Sequence, residues 1–194
     1  MERIVNRICN SNTYVISQDG SKDIWLVDVG DIGSVLNDMP SGSQVKGVFL
    51  THTHFDHLYG INQLYERFPE ITVYVAETGI EALYSAKKNL SKYHESPIEY
   101  EGTNVVRLHD GDEIVLFASI VLKAIATPGH TPDSMVFKVG EYLFTGDAYI
   151  PGVKVVSKLP GGDKGQALAS RIMILELAKG LTVCPGHGET DNEQ

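Results

Sequence analysis

The chain's 194 residues are 42% hydrophobic and 21% charged, ordinary proportions for a globular protein and enough for one domain, 1–194, to bury a core without staples. A net charge of −9 argues against a sequence-independent grip on nucleic acid, which depends on neutralising phosphates, while leaving room for a bound cation. No run of 18 apolar residues is present, so no membrane partner or span is expected.

The opening stretch, MERIVNRICNSNTYVI, has neither a long apolar core nor a small-residue cleavage site, so no signal peptide is expected. Cys9 and Cys184 lie far apart and outside any CxxC spacing, which makes a reducing cytoplasm the expected location. β-branched and aromatic runs predict strands at 4–8, 13–17 and 24–29, the last carrying Trp25 as a packing residue. VKGVFL, 45–50, is a continuous apolar run of the kind that a strand buried on both faces shows. FDHLYGINQLYERF then sets Leu58, Ile61, Leu64, Tyr65 and Phe68 at helical spacing, with Asp56 near its start. A strand at 72–75 precedes a predicted helix from about 78 to 92. Further strands are predicted at 105–108, 113–116 and 120–126, and SMVFKV and EYLFTG form a hairpin about Gly140. Asp163 should cap a helix through QALASRIMILELAK, with Leu168, Ile172, Leu175 and Leu177 mostly on one face, and LTVCP closes as the last strand. Strands followed by helices, twice over, predict two sheets packed face to face with helices outside.

Four places share one grammar, in which an apolar strand runs out and a metal-type ligand follows: VFLTHTHFDH, KAIATPGH, YLFTGD and TVCPGH. Residues i and i+2 of an extended segment point the same way, so His52 and His54 can clasp one ion, while Asp56 and His57 turn toward a neighbouring spot. A lone histidine is usually a surface or satisfied core residue. Here five of the seven histidines follow the pattern, and only His94 and His109 read as surface. Seven ligands exceed the needs of one four- or five-coordinate ion. Two divalent ions about 3.5–4 Å apart would use them all. The assignment is His52, His54 and His130 to one ion, Asp56, His57 and His187 to the other, and Asp147 between them. Zinc is the expected metal, with iron or manganese as alternatives. Tyr149 is a candidate oxyanion donor, and Lys154, Lys158 and Lys164 are candidates for receiving an anionic substrate. Cys184 is expected to point into the core, as buried free cysteines do.

With this motif set the sequence resembles the metallo-β-lactamase-fold hydrolase superfamily over nearly its whole length. The HxHxDH motif matches His52–His57, the later ligands match His130, Asp147 and His187, and LVDVG is similar to the family's early aspartate-glycine strand end. The resemblance implies an α+β fold, a four-layer αββα sandwich of two mixed sheets with the site along one edge. It also implies that Asp28 supports a ligating histidine from behind. The seven-ligand set is most similar to the glyoxalase II-like branch. The segment after Asp147, GDAYIPGVKVVSKLPGGDKGQA, departs from the GCGR-type stretch of glyoxalase II and persulfide dioxygenases, and a secreted β-lactamase is not expected. The function implied is a dinuclear hydrolase in which a hydroxide bridging the two ions attacks an ester, thioester or lactone of a small molecule, with Asp56 shuttling the proton. The alternatives are a phosphodiesterase on the same scaffold and an iron-dependent persulfide dioxygenase using His52, His130 and Asp147.

Overall fold

The computed structural model describes residues 1–190, and residues 191–194 of the expected domain lie outside that range. One sheet runs in spatial order β1 (Glu2–Val5), β2 (Asn12–Ile16), β3 (Asp23–Val27), β4 (Gln44–Phe49), β5 (Thr72–Ala76) and β6 (Val105–Leu108). Its first three strands pair antiparallel and the rest parallel. Parallel neighbours cannot be joined by a tight hairpin. The crossovers accordingly carry α1 (Ile32–Asp38), α2 (Ile61–Arg67) and α3 (Ile80–Leu83). The second sheet contains β7 (Glu113–Phe117), β8 (Ile120–Ala126), β9 (Met135–Val139), β10 (Tyr142–Gly146) and β11 (Thr182–Pro185), in the order β11-β10-β9-β8-β7. β11 adds parallel to β10 after the long helix α4 (Lys164–Leu177).

Period-2 alternation sorts the side chains into layers. In β3, Ile24 and Leu26 join Val48, Leu50, Ile61 and Leu64 on the outer face beneath α2. Trp25 and Val27 point the other way and meet Phe137, Phe144 and Leu122 of the second sheet. On that sheet's far face, Val136 and Leu143 pack against Ile174 of α4. The result is the four-layer αββα sandwich. Phe49 anchors its centre, stacked on Tyr74 at 4.4 Å and tilted against Phe137 at 5.6 Å. Trp25 is a packing residue that also donates Nε1–H to the Leu116 carbonyl at 3.1 Å. Cys184 is fully buried in the same core. No helix among the described residues is long and apolar enough to cross a membrane.

Several elements differ from expectation. The first strand stops at Val5, and α1, only seven residues long, carries too brief a periodicity to be read in advance. The helix expected from Phe55 is divided, with a 3-10 turn at Phe55–His57 and α2 beginning only at Ile61. Of the helix expected over 78–92, only α3 and short 3-10 turns form. The face of α4 is inverted: Ala167, Ser170 and Ile174 are buried, whereas Leu168 and Ile172 are 60% and 63% exposed and Leu175 is exposed as well. The cause is close approach. A Cβ on Gly129 would lie 2.1 Å from the Ala167 amide nitrogen, and Ser170 Oγ donates to the Pro128 carbonyl at 2.7 Å, so the helix rests on its small residues. Asp163 does cap it, accepting from Gln166 N–H.

Candidate metal centre

The seven side chains converge at the carboxyl ends of strands. His52 and His54 follow β4, His130 follows β8, Asp147 follows β10 and His187 follows β11, and the supporting Asp28 follows β3. Beyond β4 the side chains of the segment 51–54 still alternate in direction, which divides their labour. Thr51 and Thr53 bind buried carboxylates behind it, Asp28 and Asp133 respectively, while His52 and His54 face the centre with rings 4.8 Å apart. Asp56 and His57 enter from the 3-10 turn. Five of the seven are buried, and Asp147 and His187 are partly exposed.

The hydrogen bonds behind the rings fix their tautomers. A backbone carbonyl can only accept, so His130 Nδ1 donates to Val156 O at 2.7 Å and His187 Nδ1 donates to Cys9 O at 3.1 Å. His57 Nδ1 donates to Asp28 Oδ2 at 2.9 Å. Thr51 Oγ1 gives its own proton to Asp28 Oδ2 at 2.8 Å, so it accepts from His52 Nδ1 at 3.1 Å. In its neutral form each of these four rings therefore directs an Nε2 lone pair to the centre, the form a cation requires. Asp28 orients two of them, held at φ 57, a left-handed conformation that aspartate tolerates better than most residues.

The donor atoms sort into two groups with Asp147 between them. On one side, His57 Nε2 lies 3.3 Å from His187 Nε2, Asp56 Oδ2 is 3.7 Å from His57 and 3.4 Å from His187, and Asp147 Oδ1 is 3.5 Å and 3.4 Å from the two rings. Ligands bound at about 2.0–2.1 Å around a tetrahedral ion are separated by about 3.4 Å. On the other side, His130 Nε2 lies 3.0 Å from His54 Nδ1 and 3.6 Å from Asp147 Oδ2, with His52 in the same group. Among the described residues the buried atoms His52 Nε2 and Asp147 Oδ1 have no hydrogen-bond partner, although buried polar atoms are rarely left so. A pair of divalent cations fits these orphaned donors.

The electrostatic field has the same bias. Burial opposes protonation of His187, but the adjacent Asp147 and Asp56 carboxylates outweigh it and push its imidazole up to about 9. Burial is likewise overcome at His57 by Asp147, Asp56 and Asp28, which hold it well above the ordinary histidine value. On the other side burial wins, and with His130 close by it lowers His54 to about 4. His52 is lowered for similar reasons. Positive charge is drawn to the Asp56–His57–His187 side, and on the other His52 and His54 are kept neutral.

The family model for the metallo-beta-lactamase superfamily matches residues 6–187. The chain belongs to the metallo-beta-lactamase superfamily. Among solved structures, the BLEG-1 B3 metallo-beta-lactamase superposes with a TM-score of 0.88 at 26% identity, covering 97% of this chain and 92% of that one. TTHA1623, solved in a di-iron-bound form, gives 0.82 at 25% identity, covering 98% and 93%. ETHE1 from Myxococcus xanthus gives 0.77 at 25% identity, covering 97% and 75%.

Within this superfamily member the remaining candidates are less central. Tyr149 packs its ring with the Leu143–Ile174 cluster, and Arg171 sits over it at 5.9 Å. Lys154, Lys158 and Lys164 are exposed on the segment leading into α4. They do not line the cavity beside His54, where the lysines are instead Lys87, Lys88 and Lys92. His94 and His109 are exposed, the first against the Phe55 ring and the second bonded to Glu77 at 2.8 Å. Sequence reasoning did not anticipate the Cys9 and Val156 carbonyls or Thr51. The alternation of THTH was the one available signal for Thr51.

Proposed function

We propose that the chain is a dinuclear metal-dependent hydrolase of the glyoxalase II-like kind, cleaving an ester, thioester or lactone of a small molecule. The observation that carries this reading is the pair of donor groups at ligand spacing, sharing Asp147 through its two oxygens. Two divalent cations, with zinc the expected metal, supply Lewis acidity there and bring the ionisation of water toward neutral pH. The chain's own residues do the rest. His52, His54 and His130 hold one side, and Asp56, His57 and His187 hold the other. Asp28, Val156 O and Cys9 O keep the imidazole protons on Nδ1, away from the reaction. Asp56 contributes Oδ2 to the ligand group, and its other oxygen is available to carry a proton to the leaving group. A cytoplasmic location suits the exposed thiol of Cys9.

The di-iron form of TTHA1623 favours one second reading, an iron-dependent oxygenase. Metal analysis of protein purified without added metal, followed by assays on thioesters, lactones, phosphodiesters and a β-lactam, tests both. The β-lactam belongs in the panel because BLEG-1 is a metallo-beta-lactamase. About two zinc or manganese equivalents with hydrolysis of a carbonyl ester support the proposal. One iron with oxygen consumption on glutathione persulfide would replace it with the oxygenase.

A further inference from the structure

Beside His54 lies a cavity of about 330 Å³, within the size range of small-molecule sites. One wall is formed by the segment 87–93, which contributes Lys87, Lys88 and Lys92 to the lining in a chain whose net charge is −9. This wall is fixed in place. Asn89 and Ser91 are fully buried. Asn89 Oδ1 accepts from Ser91 N at 2.9 Å, Asn89 Nδ2 donates to Ile98 O at 2.8 Å, and Ser91 Oγ accepts from Ile98 N at 2.8 Å. The Asn89 carbonyl also accepts from Phe55 N at 3.0 Å, which ties the wall to the turn carrying Asp56 and His57. Between the two buried polar residues, Leu90 is held at φ 68 and lines the cavity. Left-handed backbone at a branched residue costs energy and persists where the surroundings impose it.

The acidic groups in the lining are already engaged. Glu81 pairs with Lys88, and Asp133 accepts from Thr53 Oγ1 at 2.7 Å. Lys92 lies over the Tyr93 ring, 4.7 Å from its centroid, and neither it nor Lys87 has a carboxylate partner among the described residues.

We propose that this cavity binds the anionic end of the substrate, a carboxylate or phosphate carried at a distance from the bond broken at the ligand cluster. The inference rests on the hydrolase reading and narrows it to anionic acyl compounds. Ammonium groups act as point charges with rotatable donors, suited to either anion, and Pro132 and Pro160 on the other side give an apolar surface for the spacer.

The zinc-loaded full chain provides two readouts. The first is kcat/KM for thioesters of matched length ending in a carboxylate, a phosphate or a neutral carboxamide. Wild type is expected to favour one anionic substrate over the carboxamide by about tenfold, in line with partly exposed charge pairs. The variant Lys87→Gln/Lys92→Gln should lose that preference while the carboxamide rate stays the same, and the favoured anion identifies the source. The second readout is a titration of the amide NMR shifts of residues 86–93 with glutarate and with inorganic phosphate. Saturable shifts in wild type that vanish in the variant support the assignment. A preference absent in wild type, or intact in the variant, overturns the cavity assignment and leaves hydrolysis standing. If no thioester is cleaved, the thioester part of the hydrolase reading fails instead, and the titration still decides whether the cavity binds anions.

Discussion

Asp28→Asn exchanges one oxygen for an NH₂ group at the point where two ligand histidines are oriented. Asp28 Oδ1 accepts from Thr51 N at 2.7 Å, a group that can only donate, so the amide oxygen of the variant must remain there. The NH₂ group then faces Thr51 Oγ1 and His57 Nδ1, which lie 2.8 and 2.9 Å from the oxygen it replaces. Both now have to accept. His57 must move its proton to Nε2, the atom 3.3 Å from His187 Nε2, and the Thr51 hydroxyl turns its hydrogen toward His52 with the same consequence there. Loss of such support behind a ligand typically weakens metal binding about 10–100-fold, equivalent to about 1.4–2.7 kcal/mol. Competition against a chromophoric zinc chelator, fitted to two affinities, measures the effect on each ion. Urea unfolding of Asp28→Ala, which strands the Thr51 N–H and hydroxyl, should show a loss of about 1–3 kcal/mol for each buried group left unpaired. Two zinc affinities within twofold of wild type in Asp28→Asn would refute the tautomer reasoning.

Asp147→Asn should release both ions and abolish nearly all turnover, since it removes the anion common to the two donor groups; metal counting and rate measurement together check this. Zinc affinity should fall on acidification, by at least about tenfold per pH unit below the value of about 9 to which His187 is raised, because the cation must displace a proton. Calorimetry in buffers of different ionisation enthalpy reports the protons released, and a pH-independent affinity contradicts the raised proton affinity of His187. Gly186→Ala places a Cβ 2.3 Å from Asp147 Oδ1 and 2.8 Å from His57 Cε1, so it should empty the Asp56–His57–His187 side first, visible as loss of one metal equivalent. Ile174→Ala should cost about 2–5 kcal/mol in urea unfolding as a core truncation, whereas Leu168→Ser, on the exposed face, should stay within about 0.5 kcal/mol.

The ligand set is legible in the sequence because it is local and chemical. Histidine and aspartate at the ends of apolar runs declare themselves by residue type, and the alternation of THTH foretells which side chains share a direction. Asp28 is legible only from its place after LVDV, since nothing in that string says that it reaches Thr51 and His57. The carbonyls of Cys9 and Val156 are backbone atoms and leave no mark on residue identity. The Lys87–Lys92 wall is hidden by a helical pattern over 78–92, which loses to the buried hydrogen bonds of Asn89 and Ser91, a tertiary effect. The inverted face of α4 has a similar origin. The apolar stripe at 168, 172 and 175 is real, but Gly129 and Ala167 allow backbone contact on the opposite side, and close packing there outweighs the burial of larger side chains. Strand existence follows from local pattern, whereas the order of strands in the two sheets depends on contacts that no periodicity encodes.

Anomalous diffraction at the zinc edge from crystals grown with zinc tests the shared two-ion centre most directly. The account predicts two peaks about 3.5–4 Å apart, one amid His52, His54 and His130, the other amid Asp56, His57 and His187, with an oxygen of Asp147 reaching each. A single peak, or two peaks with the Asp147 carboxylate turned away from both, would contradict it.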